Sequence, residues 1–216
     1  MNAFARLHPG VQRAVWQMGW TQLNSLQSEA IPRILESEDH LILSAATASG
    51  KTEAAFLPII SALAADSAAT SLQALYVGPL KALINDQFAR LDTLCTHCEI
   101  PVHRWHGDVD AGAKARVRAS PRGILLITPE SLEAFFLRRG RDVPRLFAGV
   151  RFVVIDELHA FLESVRGVHL QSLLARMRGQ AGCRPRLVGL SATLGDYDAA
   201  RRFLNPDAPD KVALVD

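Results

Sequence analysis

A chain of 216 residues that is 49% hydrophobic and 21% charged suits one large α/β domain with a sizeable core, which excludes a wholly disordered protein. A formal net charge of +2 excludes a protein held to a polyanion by overall charge, so any grip on nucleic acid must be local. The most apolar run, residues 54–65, contains Pro58 and lies between Glu53 and Asp66; it does not read as a membrane span, and no membrane partner is expected. The N-terminus, with Arg6, His8 and Arg13 among scattered apolar residues, lacks the pattern of a secretory signal, which leaves the cytoplasm as the expected location. Three cysteines cannot build a disulfide framework. Cys95 and Cys98 form one pair with no second pair to complete a zinc site, so they read as thiols near a helix end.

In chain order, a helix-compatible N-terminal segment (1–39) precedes a series of β-rich runs at 40–44, 73–77, 102–105, 123–127, 151–155 and 186–190. Most are succeeded by a helix-compatible stretch, and this alternation predicts a mostly parallel central sheet with helices on both faces. Residues 40–205 form the expected lobe, and 206–216 are expected to begin a linker. Open α/β sheets bind ligands beyond the carboxyl ends of their strands, so the residues just after each run carry the most information. They are 45–52, 78–87, 106–108, 128–130, 156–159 and 191–193.

The first of these, Ala45-Ala-Thr-Ala-Ser-Gly-Lys-Thr52, ends as a phosphate loop does, where backbone N–H groups and a helix N-terminus cradle phosphates. Ala48, Ser49 and Gly50 would line the loop, Lys51 would reach the β- and γ-phosphates of ATP, and the Thr52 hydroxyl would hold Mg²⁺. The general pattern asks for glycine six residues before the lysine, and Ala45 stands there. Residues 151–159 supply the complement, an apolar run delivering two adjacent carboxylates to the same edge. Asp156 suits magnesium, and Glu157 suits orienting and deprotonating a water. Alone, such a pair more often begins a solvated helix; beside Lys51 and Thr52 it reads as catalytic.

These motifs, with Asp156-Glu-Leu-His159 foremost, resemble those of the superfamily 2 DExH-box helicases. The resemblance spans nearly the whole chain and implies a RecA-like P-loop NTPase domain. Residues 21–34 resemble the Q motif, which makes Gln27 the expected reader of adenine, and 45–52 resemble motif I, with Ala48 where many members have glycine. Pro79-Leu-Lys-Ala-Leu83 resembles motif Ia in the form typical of the Lhr (large helicase-related) branch, as do Arg166-Gly167. The segments around Gly107 and at Thr128-Pro-Glu-Ser-Leu132 correspond to nucleic-acid-binding segments. Pro79, Lys81, Gly107, Thr128, Pro129 and Ser131 are therefore the expected contacts to a single strand of DNA or RNA. Ser191 and Thr193 match motif III, which the resemblance couples to hydrolysis through His159.

Blander roles compete at several positions. Gln27 could be an exposed helix residue, Ser191 and Thr193 a helix cap, His106 part of a turn, and His159 a structural histidine. The basic runs Lys114, Arg116, Arg118, Arg122 and Arg138, Arg139, Arg141, Arg145 read as solvated helix faces rather than binding patches. The resemblance further implies ATP hydrolysis between two lobes, the second supplying arginine fingers. The segment after Thr193 is too short for another such lobe, so the chain is expected to be one lobe of a larger machine. An ATPase that remodels complexes without separating strands and a lobe kept as a regulatory module share these motifs; a P-loop kinase would have no use for residues 79–87 or 191–193.

Overall fold

Apolar runs of four to six residues, nearly all buried, build the middle of the sheet, two half-buried strands form its edges, and amphipathic or wholly buried segments between them build its cover. The computed structural model describes residues 2–46, 48–66, 68–192 and 194–216. In chain order come α1 (Pro9–Gln17), α2 (Ser25–Glu36), β1 (His40–Ser44), α3 (Lys51–Ala64), β2 (Leu72–Val77), α4 (Lys81–Cys95), β3 (Val102–Trp105) and α5 (Ala111–Ala119). Next are β4 (Gly123–Ile127), α6 (Pro129–Arg139), α7 (Val143–Phe147), β5 (Phe152–Ile155), α8 (Val165–Ala181), β6 (Arg186–Ser191), α9 (Tyr197–Leu204) and β7 (Val212–Val215).

The strands form one seven-stranded sheet in the order β3-β4-β2-β5-β6-β1-β7, with every pairing parallel. Successive residues of a strand point to opposite faces, so each strand feeds two cores. Leu41, Leu43, Ala74 and Tyr76 pack among residues of α1 to α4, including Val11, Ile31, Phe56 and Leu91. Ile42, Leu75 and Val77 pack on the other face with Phe135, Phe147, Leu170 and Ala200. Helices therefore cover both faces, as the alternation predicts.

Two boundaries differ from expectation. The helical N-terminal segment, set before the expected lobe at 40–205, shares that lobe's core, because Leu7, Val15, Leu26 and Ile34 pack with β1 and α3. Residues 206–216 are not the start of a linker: Val212–Val215 pair with β1, His40 facing Val212 and Leu43 facing Val215. A short, strongly apolar segment of this kind buries more surface as an edge strand than as a free chain. Among the described residues no helix is long and apolar enough to cross a membrane.

Candidate functional site

The strand order sorts the candidate residues. Chain segments leaving β5, β6 and β1 stand side by side at one half of the carboxyl edge, and those leaving β3, β4 and β2 at the other. Phosphate-loop and DExH residues, about a hundred positions apart in sequence, thus flank Ser191 at the end of β6. Backbone bonds stitch the edge: Ala45 N donates to Ser191 O at 3.2 Å, Asp156 N to Val77 O at 2.9 Å and Gly78 N to Ile127 O at 3.1 Å.

In the first half, α3 begins at Gly50, whose φ of 80° is left-handed and whose missing side chain leaves the first-turn N–H groups without a cap. A Cβ there would lie 2.8 Å from Gln27 Nε2, the end of a flexible side chain that can give way, so the positive φ is what calls for glycine. Ala48 adopts φ 62°, a conformation that costs an L-residue about 1–2 kcal/mol and explains why glycine suits this position. Lys51 Nζ donates to the carbonyls of Ala45 (2.6 Å) and Ala46 (2.8 Å), which folds the ammonium over the loop. Thr52 is buried beneath, and the buried Ser49 hydroxyl has no hydrogen-bond partner among the described residues. Uncapped N–H groups, an ammonium and an orphaned hydroxyl in one loop fit a polyphosphate.

Gln27 is only 4% exposed, which removes the reading of it as a solvated helix residue. It completes a capping box on α2: Gln27 N donates to Asn24 Oδ1 (2.8 Å) while Asn24 N donates to Gln27 Oε1 (3.1 Å). Asn24 Nδ2 in turn donates to Ser49 O at 2.9 Å, tying the cap to the phosphate loop. Beside them lies a cleft of about 280 Å³ whose walls include Trp20, Gln27, Gly50, Glu53 and Arg90. Glu53 is buried against the Arg90 guanidinium at 2.5 Å. Trp20 was not a sequence candidate; a lone aromatic before the Q-like segment carries no signal until the fold sets it beside the loop.

The carboxylates sit as the strand pattern implies. Asp156 is buried, its Oδ1 accepts from Glu157 N at 2.9 Å, and its Oδ2 accepts a short hydrogen bond from Tyr76 Oη. Burial first, then the Asp156 charge, pushes the Tyr76 phenol far above its usual range, so it stays a donor. Glu157 adopts φ 50°, a strained turn that swings the chain off the sheet edge. His159 Nδ1 lies 3.4 Å from Glu157 Oε2 and 3.1 Å from Ser191 Oγ, which links the two motifs physically. Thr193, expected beside them, and Thr47 of the phosphate loop lie outside the described residues. Thr52 and Asp156 supply the oxygen donors magnesium prefers, and both are held in place by burial.

In the second half, α4 also begins without a side-chain cap, at Leu80. Among the described residues, α3 and α4 are the helices of eight or more residues that begin so. Lys81 Nζ pairs with Asp108 (3.2 and 3.1 Å) and stands 3.4 Å from where a Gly107 Cβ would be, which brings the segments after β2 and β3 together. Arg166 spans the same surface: it grips Glu130 through two bonds (2.7 and 3.0 Å) and donates to Pro79 O at 2.6 Å. Burial would push the Glu130 carboxyl up, but the Arg166 bonds hold it below its usual range. The neighbouring Gly167 is obligatory, since a Cβ would lie 1.8 Å from Phe161 O. Thr128 is buried as the N-cap of α6, accepting from Ser131 N (3.3 Å) and donating to Ser131 Oγ (3.0 Å), with Pro129 buried beside it. Of these three, Ser131 is the one that is partly exposed. His106 is buried; its Nε2 meets Asn85 Oδ1 at 3.1 Å, and burial lowers its pKa against the pull of Asp108. Among the described residues no group of three or more His, Cys, Asp or Glu side chains could hold a metal, Cys95 and Cys98 included.

The chain has recognisable relatives. The DEAD/DEAH box helicase family matches residues 24–201. The Lhr helicase/probable uracil glycosylase of Mycolicibacterium smegmatis is 34% identical over 200 residues, 86% of this chain and 13% of that protein. The ATP-dependent helicase Lhr-Core of Methanothermobacter thermautotrophicus is 33% identical over 180 residues, 76% of this chain and 20% of that protein. The chain thus spans a fifth or less of these two relatives. The structure of Mycobacterium smegmatis helicase Lhr bound to ssDNA and AMP-PNP superposes with a TM-score of 0.85 at 31% identity, covering 100% of this chain and 28% of that one. The resemblance read from the motifs, its Lhr-like form and the α/β fold with its parallel sheet all hold.

Proposed function

Since the chain belongs to the DEAD/DEAH box helicase family, we propose that it is the ATP-binding lobe of a motor that moves along or separates nucleic-acid strands. The observation that carries this reading is the contact set joining Glu157, His159 and Ser191 beside the uncapped start of α3, which bears Lys51 and Thr52. In this assignment the α3 N–H groups and Lys51 bind the phosphates, and the cleft beside Gln27 and Trp20 takes the base. Gln27 keeps its Nε2 and a second carbonyl lone pair for the adenine edge. Thr52 and Asp156 would hold Mg²⁺, which supplies charge neutralisation at the phosphates. Tyr76 orients the Asp156 carboxylate, and Glu157 accepts the proton of the attacking water. His159 passes the state of Glu157 to Ser191, at the strand end between the two carboxylates and the phosphate loop.

The other half of the edge takes a single strand of DNA or RNA through Lys81, Gly107, Ser131 and the uncapped α4, contacts that position a backbone without reading bases. A second RecA-like lobe completes the reaction with an arginine, a contribution worth about 10³ to 10⁵ in rate in related phosphoryl transfers. The 216-residue chain alone is therefore expected to bind adenine nucleotide weakly, hydrolyse it very slowly and displace no strand. Joining the second lobe, in cis or in trans, is expected to restore hydrolysis stimulated by single strands, and comparing DNA with RNA as stimulant identifies the track. Duplex separation by the purified monomeric chain with ATP would overturn the two-lobe reading. Stimulated hydrolysis without strand displacement would make the protein a remodelling ATPase instead.

A further inference from the structure

The two basic runs, each ordinary as a helix face, meet in the fold. A cleft of about 350 Å³ opens at the end of β3, between α5 and α6. Lys114 and Arg118 line it from α5, Arg138 and Arg139 from α6, and Trp105 stands between them. The indole packs edge-on against Phe135 at 5.2 Å, and Lys114 Nζ lies 6.0 Å from its ring centre. Among the described residues none of the four cations takes part in an ion pair. A fifth stands close by, since Arg145 donates to Arg118 O at 2.7 Å. The one carboxylate in the lining, Glu130, is already held by both Arg166 bonds and neutralises none of them. Unpaired cations lining one cleft give it a positive potential, which suits a polyanion.

We propose that this cleft extends the nucleic-acid track: a single strand lying along the α4 and α6 edge runs on into it, its phosphates held by Lys114, Arg138 and Arg139 with a sugar or base against Trp105. The proposal rests on the reading of this sheet edge as nucleic-acid-binding. Continuity supports it, because Gly107 and Ser131 line the cleft and also belong to the segments assigned to the strand. Charge and an aromatic face without a patterned set of hydrogen-bonding groups suit sequence-independent binding of a single strand.

The test measures binding of the 216-residue chain to labelled oligo(dT) of increasing length, by fluorescence anisotropy at several salt concentrations. The variant Lys114→Gln/Arg138→Gln/Arg139→Gln is expected to match the parent on the shortest oligonucleotides and to lose about 10-fold or more on long ones. Its log K against log salt slope should shrink by about 2, three phosphate contacts at roughly 0.7 each on single strands. Lys81→Ala serves as the reference and should weaken binding at every length. Unchanged affinity and slope in the triple variant, with Lys81→Ala still weakening binding, would overturn the cleft and leave the edge reading standing. A parent chain that binds no oligonucleotide overturns both. Preference of the parent for polyglutamate over oligo(dT) of equal charge, lost in the triple variant, would make the cleft a surface for an acidic protein and sink the proposal. If the triple variant melts early, Arg139→Gln alone, at an exposed position, must still lower the slope by about 0.7.

Discussion

The two halves of the sheet edge are built differently. Around the proposed nucleotide site Asp156 and Gln27 are buried and already committed to protein partners, Asp156 to Tyr76 and the Glu157 amide and Gln27 to the α2 cap, and the half-exposed His159 is held by Ser191. Along the proposed strand track Thr128 is a buried cap, but Lys81 is exposed and loosely held. The Lys81 and Asp108 side chains are 54% and 70% exposed, and a surface pair of this kind is worth about 0–1 kcal/mol. Hydrolysis needs charges and donors fixed before the reaction, because reorganising them would cost what they supply. Moving along a strand needs the opposite, contacts that swap a carboxylate for a phosphate and back at little cost. In the proposed division one sheet provides both, by holding Asp156 and Gln27 buried at one half of its edge and Lys81 exposed at the other.

That contrast can be broken first at Glu157. In the chain joined to the proposed second lobe, Glu157→Gln is expected to keep nucleotide affinity and to lower turnover by about 10²- to 10⁴-fold, since the amide preserves shape and accepts no proton. Near-normal hydrolysis would mean that another group handles the water. Lys51→Ala comes next: loss of a charge-assisted bond of about 1.5–3 kcal/mol should weaken nucleotide binding roughly 10- to 100-fold in calorimetry while melting stays unchanged. Unaltered affinity would remove Lys51 from the phosphate site. Tyr76→Phe tests whether the buried half is held by its own hydrogen bonds. It should lower stability in urea by about 1–3 kcal/mol and raise the magnesium concentration needed for nucleotide binding, because Asp156 loses its donor. A stability loss with no change in magnesium dependence would reduce Tyr76 to packing. The smallest effect is expected at Lys81→Ala, a few-fold loss of strand affinity and a salt slope smaller by about 0.7, with stability and nucleotide binding unmoved. Coupled loss of nucleotide binding would show that the halves are not separable.

Much of this was legible because parallel strands buried on both faces are continuous apolar runs, and ligand residues come directly after them. His40–Ser44 and Gly123–Ile127 fall where those runs do, and the edge strand Val102–Trp105, with only Val102 buried, falls at its β-rich run. Other features depend on distance in space. Tyr76 is one aromatic in an aliphatic strand, and its hydroxyl gains meaning only from a carboxylate 80 residues later. Thr128 reads as a strand contact, which remains a proposal, and the fold also makes it the buried cap of α6, a role its spacing to Ser131 equally allows. The cations of α5 and α6 look like two solvated faces until β3 and β4, adjacent in the sheet, bring their succeeding helices to one cleft. Arg166 likewise joins Pro79 and Glu130 across separations of 87 and 36 residues.

The last strand bears on how the lobe is delimited. The strand that leads into the proposed phosphate loop, β1, is hydrogen-bonded on both sides, by β6 and by β7. A boundary drawn at residue 205, just after α9 and the last recognisable motif, would strip one side and leave the donors and acceptors of residues 40–43 facing water. An apolar strand exposed in that way is a template for pairing with a second chain. The shortened protein would self-associate through the strand that anchors its phosphate loop, and a loss of nucleotide binding in such a preparation would report aggregation rather than a missing ligand. Retaining Val215 keeps that edge closed.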